Sequence, residues 1–116
     1  PAPVGPYNQA IIANGILYCS GQIAINPKTG ELELSDIKSE TERVMQNIGG
    51  VLAEAGTNFE NVIKCTIFMS DMGDYAAINE VYSRYFNDET APAREAVEVA
   101  NLPKYVNIEI SCIATV

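Results

Sequence analysis

Hydrophobic residues along this chain follow two periods, and the switches between them mark its elements. From Ile16 to Ile25, Leu17, Cys19, Gly21, Ile23 and Ile25 alternate with Ile16, Tyr18, Ser20, Gln22 and Ala24, which is the period of a strand with one more apolar face. Tyr7 to Ala13 is strand-like as well, and Asn14 and Gly15 between the two runs form a strong hairpin signal. Asn26 to Gly30 reads as a turn. From about Asp36 to Ala55 the spacing lengthens to three and four, with Ile37, Thr41, Val44, Ile48, Val51, Leu52 and Ala55 on one stripe of an amphipathic helix. Ser35 or Asp36 is placed to cap its start and Gly56 to end it. Gly49 and Gly50 inside it predict a close packing contact.

Val62 to Met69 predicts a strand. Asp74 then stands where it could cap a second helix carrying Tyr75, Ile78, Val81, Tyr82, Tyr85 and Phe86 on one stripe. Ala93 to Ala100 and Val106 to Val116 alternate around Asn101, Leu102, Pro103 and Lys104 and predict two closing strands paired as a hairpin. The order is β-β-α-β-α-β-β. This is an α+β layout of one domain over residues 1–116, with two helices on one face of a single sheet and the other face open.

Composition narrows the function. Lys and Arg number 7 against 15 Asp and Glu, a net charge of -8, and the basic residues are scattered, so nucleic acid and anionic membranes are disfavoured partners. No apolar run approaches the length of a membrane span, and no charged start with an apolar run suggests a secretory signal, so the cytoplasm is the expected location. Three cysteines in apolar runs read as buried thiols of a reducing compartment. With no histidine and no cysteine pair at metal spacing, histidine triads and zinc chemistry are set aside, and no metal is expected.

Strand alternation separates Arg94, Ala96 and Glu98 from Glu95, Val97 and Val99, and places Arg94 on the open face if the valines face the helices. Glu109 falls on the open face of the last strand. A hairpin with Ala100 opposite Tyr105 sets Ala96 across from Glu109 and Arg94 diagonal to it, roughly 7–8 Å away. A guanidinium matches a carboxylate with two parallel hydrogen bonds, which makes Arg94 the natural anion clamp. From spacing alone, an ion pair with Glu109 or Glu98 accounts for it more readily. Asn79, on the apolar stripe, needs a partner, for which neighbouring backbone is the simpler choice over a ligand. Tyr7 and Ser20 are explained as readily by packing and by a cross-strand bond.

Several segments together resemble the RidA (YjgF) family: Gly5-Pro6-Tyr7, Ser20-Gly21-Gln22, Asn26 to Gly30, Asn47-Ile48, Leu52 to Gly56, and Asn79, Tyr82 and Phe86. The most specific stretch runs from Pro92-Ala93-Arg94 through Val97-Glu98-Val99 and Leu102-Pro103 to Ile108-Glu109-Ile110. The resemblance implies a chorismate-mutase-like fold with a single mixed sheet, assembled as a homotrimer with clefts between subunits. It implies hydrolysis of 2-aminoacrylate-type enamines and imines to 2-keto acids and ammonia, without a cofactor. Arg94 then binds the substrate carboxylate. Tyr7, Ser20, Gly21, the backbone of Ala96, and Glu109 shape the pocket and place water or protons, with Asn79 and Phe86 as further contacts. The competing reading is a regulatory protein that binds keto acids without turnover.

Two positions depart from the family pattern. Glu95 stands where small residues are usual and should point away from Arg94, and Ala96 stands where cysteine is frequent but keeps its backbone groups. Family members usually carry a further strand-like segment before Gly5, so the gene product is expected to be longer than these 116 residues.

Overall fold

Asn14 and Gly15 adopt φ of 53° and 77°, the turn that matches strand twist, and so close a hairpin of β1 (Ala10–Ala13) and β2 (Ile16–Gln22) in the computed structural model, which describes residues 8–116. Helix α1 (Ile37–Glu54) begins at Asp36, whose carboxylate accepts from Ser39 N at 2.8 Å, and Gly56 takes φ 77° beyond its end. Strand β3 (Val62–Met69), helix α2 (Tyr75–Tyr82), β4 (Ala93–Glu98) and β5 (Ile108–Thr115) complete the order read from the sequence. Asp74 makes no side-chain cap to α2. Asp71 accepts from Gly73 N instead and starts the short 3-10 turn that leads into it.

The five strands form one mixed sheet in the order β1-β2-β5-β3-β4, and both helices pack on one face. Leu17, Cys19, Cys65, Ile67, Ile108, Ile110 and Cys112 face Val44, Met45, Ile48, Leu52, Ile78 and Tyr82 across this core. The cysteines are buried free thiols, and Cys19, Cys112 and Cys65 lie opposite one another on three neighbouring strands. Gly49 earns its place, because a Cβ there would stand 3.2 Å from the Phe59 ring; Gly50 meets nothing, and no contact explains it.

Two buried polar residues on α1 fix the sheet to the helix layer. The Glu40 carboxylate accepts from Asn107 N and Nδ2 and from Ile108 N, while Asn47 Nδ2 donates to the carbonyls of Ile23 and Ile25. Both anchor points precede or follow strands that the helix crosses, so they set where β2 ends and β5 begins.

The predicted hairpin of the last two strands does not form. β4 runs parallel to β3, with Arg94 opposite Cys65 and Ala96 opposite Ile67, whereas β5 lies antiparallel between β2 and β3. A parallel neighbour requires a crossover, and α2 supplies it, which carries β4 to the outside of β3. The connection back to β5 spans residues 99–107, buries Leu102 and Val106 against Ile23, and turns through positive φ at Lys104 and Tyr105.

This pairing also reverses the faces of β4. Arg94 and Ala96 share the helix side with Cys65 and Ile67, while Glu95 and Val97 lie on the open face with Thr66 and Phe68. The valines misdirected the assignment because the open face is itself apolar, carrying Ile11, Tyr18, Phe68, Val97 and Ile113. Glu109 does lie on that open face, opposite Phe68.

Candidate active site on the edge strand

Helix α2 crosses the outer strand so that Tyr75, Asn79 and Tyr82, spaced at i, i+4 and i+7, meet one side chain of β4. That side chain is Arg94. Nη1 donates to Asn79 Oδ1 at 2.7 Å and Nη2 donates to Tyr75 Oη at 2.6 Å. Its Cζ lies 5.0 Å from the centroid of the Tyr82 ring and 5.6 Å from that of Tyr75. Both rings stand within cation–π range, so the groups that hold the fork are neutral.

No carboxylate among the described residues forms an ion pair with it, and Asp88 only lines the same cavity. Among the described residues the ion pairs join Lys38 to Glu80, Arg43 to Glu33, and Lys64 to Glu95, the last at 3.0 Å. Glu98 accepts from Met72 N, and Glu109 belongs to the opposite face, so the ion pair that spacing favoured is not made. Glu95 points away from Arg94, as strand alternation requires, and hydrogen bonds to Lys64 and Thr66 hold its carboxyl below the usual range. The partner of Asn79 is the guanidinium rather than neighbouring backbone.

A cavity of about 210 Å³ opens beside the guanidinium, lined by Arg94, Asn79, Tyr82, Phe86, Asp88 and Pro92. Phe86 is held there by the rings of Tyr82 and Phe59, at 4.8 and 5.6 Å between centroids. Ala96 follows Arg94 on the same side, and its backbone is available. Val99 N donates to Met69 O, and because a parallel ladder engages alternate residues, the N–H and C=O groups of Arg94, Ala96 and Glu98 point off the free edge of the sheet.

The remaining candidates gather elsewhere. Between Cys19 and Gln22, β2 bulges against β5, and there Gly21 lies against Glu109: a Cβ on Gly21 would stand 2.5 Å from the carboxylate. Ser20 is occupied locally, its hydroxyl donating to Asn8 O at 2.6 Å and its N–H donating to Gln9 O. Burial raises the Glu109 pKa above the ordinary glutamate value, and no described residue hydrogen bonds to its carboxylate. Tyr7 lies outside the described residues. The candidates therefore form two groups, Arg94, Ala96, Asn79 and Phe86 on the helix side and outer edge, and Ser20, Gly21 and Glu109 on the open face. Arg94 and Glu109 sit on opposite faces, two strands apart across the sheet and three residues apart along it.

Tyr75 and Tyr82 were absent from the sequence-based site because aromatics on a helix stripe read as core. The signal that could have found them is the polar Asn79 between them, which marks that stripe as facing something other than a core.

The profile of the family described as endoribonuclease L-PSP matches residues 1–116. The chain belongs to this family, the RidA and RutC proteins. A RutC family protein of Synechocystis is 53% identical over 118 residues, covering 98% of this chain and 88% of that one. The 2-iminobutanoate/2-iminopropanoate deaminase of Capra hircus is 41% identical, covering 98% and 82%. Among solved structures, YyfA of the conserved Rid protein family from Yersinia pestis superposes with a TM-score of 0.96 at 47% identity, covering 100% of this chain and 92% of that chain. The RidA-family fold is thus common to chain and relatives, and no helix among the described residues is long and apolar enough to cross a membrane.

Glu109 permits a test of its surroundings in this RidA-family chain. Its folded pKa is raised, so the protonated form is favoured by folding and the ionised form opposes it once pH exceeds the unfolded value of about 4.3. Glu109→Gln should therefore raise the melting temperature at neutral pH, and the gain should vanish below about pH 4. A calorimetric difference that does not change with pH would contradict the assigned desolvation.

Proposed function

We propose that this chain is a cytoplasmic deaminase that hydrolyses reactive enamine and imine acids of the 2-aminoacrylate type to 2-keto acids and ammonia. The observation that carries this reading is the Arg94 fork, oriented by Asn79, Tyr75 and Tyr82 and matched to no carboxylate among the described residues. A cation prepared in this way suits a planar carboxylate, and the goat relative is named for acting on imino acids.

The chemistry asks little of the protein. The enamine first takes a proton from solvent at C3 and loses one from nitrogen to become the imine. The imine carbon is electrophilic, so water adds to it once substrate and water are held together, and the resulting carbinolamine expels ammonia to leave the keto acid. Arg94 fixes the carboxylate, the outward backbone of Ala96 stands beside it, and Glu109 orients the water or relays its proton. Because Arg94 and Glu109 occupy opposite faces of one sheet, joint action needs two copies of the chain. A homotrimer whose open faces pack together, with clefts between subunits, satisfies this and covers Ile11, Tyr18 and Val97, which are 51%, 49% and 44% exposed.

The family description names an endoribonuclease, yet a net charge of -8 and the absence of histidine do not favour RNA cleavage by this chain. Turnover is tested by following keto acid and ammonia together from 2-iminobutanoate generated in solution. Equal yields of both above the uncatalysed rate support a deaminase. Binding of 2-oxobutanoate without such turnover would support the regulatory reading instead.

A further inference from the structure

The two hydrogen-bond partners of Arg94 are not equivalent. Asn79 offers an amide oxygen, which only accepts, and is half-buried on the packed side of α2. Tyr75 opens the helix, is 38% exposed, and offers a phenol oxygen. A phenol that accepts through a lone pair keeps its own proton to donate, and no described residue accepts that proton. The exposed hydroxyl lies 2.6 Å from Nη2, within hydrogen-bond reach of a group bound at that end of the fork.

We propose that Tyr75 is a ligand-contacting, specificity-determining residue of the Arg94 site, donating to one oxygen of the bound carboxylate while it orients the fork. This rests on the carboxylate role of Arg94 given above. The two groups that meet the carboxylate are then both donors: the guanidinium contributes charge, the phenol a neutral hydrogen bond. A carboxylate presents acceptors to every one of them. A carboxamide of the same shape sets its own N–H against a donor and loses at least one contact. Tyr75 therefore helps the site discriminate the carboxylates proposed above from their amides.

The experiment uses the intact protein, with 2-oxobutanoate and 2-oxobutanamide as probes in calorimetric titration. Tyr75→Phe keeps the ring and removes only the hydroxyl. It should weaken 2-oxobutanoate binding about tenfold, the scale of a hydrogen bond to a charged group, and leave the weak binding of 2-oxobutanamide within about twofold. In turnover, KM should rise by the same factor with kcat retained, and the melting temperature should not move, a combination that a purely structural tyrosine does not produce. Unchanged 2-oxobutanoate affinity in Tyr75→Phe overturns the proposal, as does a fall in kcat at unchanged KM. Arg94→Ala measured in parallel separates the two levels. If it abolishes 2-oxobutanoate binding while Tyr75→Phe binds normally, only the role of Tyr75 fails; if it binds normally, the site itself is wrong and Tyr75 falls with it.

Discussion

Arg94→Ala is expected to lower kcat/KM for 2-aminoacrylate by about a thousandfold while the protein stays folded. Two losses combine: the charge-assisted contact to the carboxylate, about 1.5–3 kcal/mol, and the placement of the imine, where a shift of about 1 Å costs about a hundredfold. Arg94→Lys keeps the charge but not the paired donors, and cannot span from Asn79 to Tyr75 as the fork does, so a loss of about a hundredfold is expected. Stability should change little, because Arg94 belongs to no ion pair among the described residues and its acceptors are reachable by water. Melting temperature and turnover are read on the same preparations. Lost thermal stability with turnover per folded protein intact would return Arg94 to a structural role.

Mixing two inactive variants should restore activity. Arg94 and Glu109 face opposite sides of the sheet in one chain, so a cleft that uses both must take them from different copies. Arg94→Ala and Glu109→Gln chains, each nearly inactive alone, are co-assembled in equal amounts into the proposed trimer, whose mass of three 12.6 kDa chains light scattering verifies. Random assembly leaves roughly one quarter of the interfaces with an intact arginine from one chain and an intact glutamate from the next, and activity should recover to about that fraction of the unmutated protein. No recovery would mean that the two residues do not meet across an interface. A fully active Glu109→Gln would remove Glu109 from the chemistry, and a stable monomer would remove the cleft.

The order of elements was legible because its signals are local. Asn14-Gly15, Asp36, Gly56 and the change of period at α1 each act within a turn of chain, and each sits where its residues predicted. Strand neighbours are a different kind of fact. Whether β4 pairs with β5 or β3 depends on where α2 docks, and turn residues such as Asn101 and Pro103 carry no record of it. The misplaced neighbour then exchanged the faces of β4, since a strand's side chains alternate and one wrong face moves them all. Arg94 itself stood out through its fork and its surrounding motif, but its supports did not, because Tyr75 and Tyr82 look like core aromatics. Glu40 was hidden for a similar reason: its partners are N–H groups of Asn107 and Ile108, far away in sequence.

Release of pyruvate from freshly generated 2-aminoacrylate, measured with the unmutated protein and with folded Arg94→Ala at equal concentration, tests the account most directly. The unmutated protein should accelerate release above the spontaneous rate in proportion to its concentration, and Arg94→Ala should leave the spontaneous rate unchanged. No acceleration by the unmutated protein, or full activity in a folded Arg94→Ala protein, would contradict a deaminase built around this arginine.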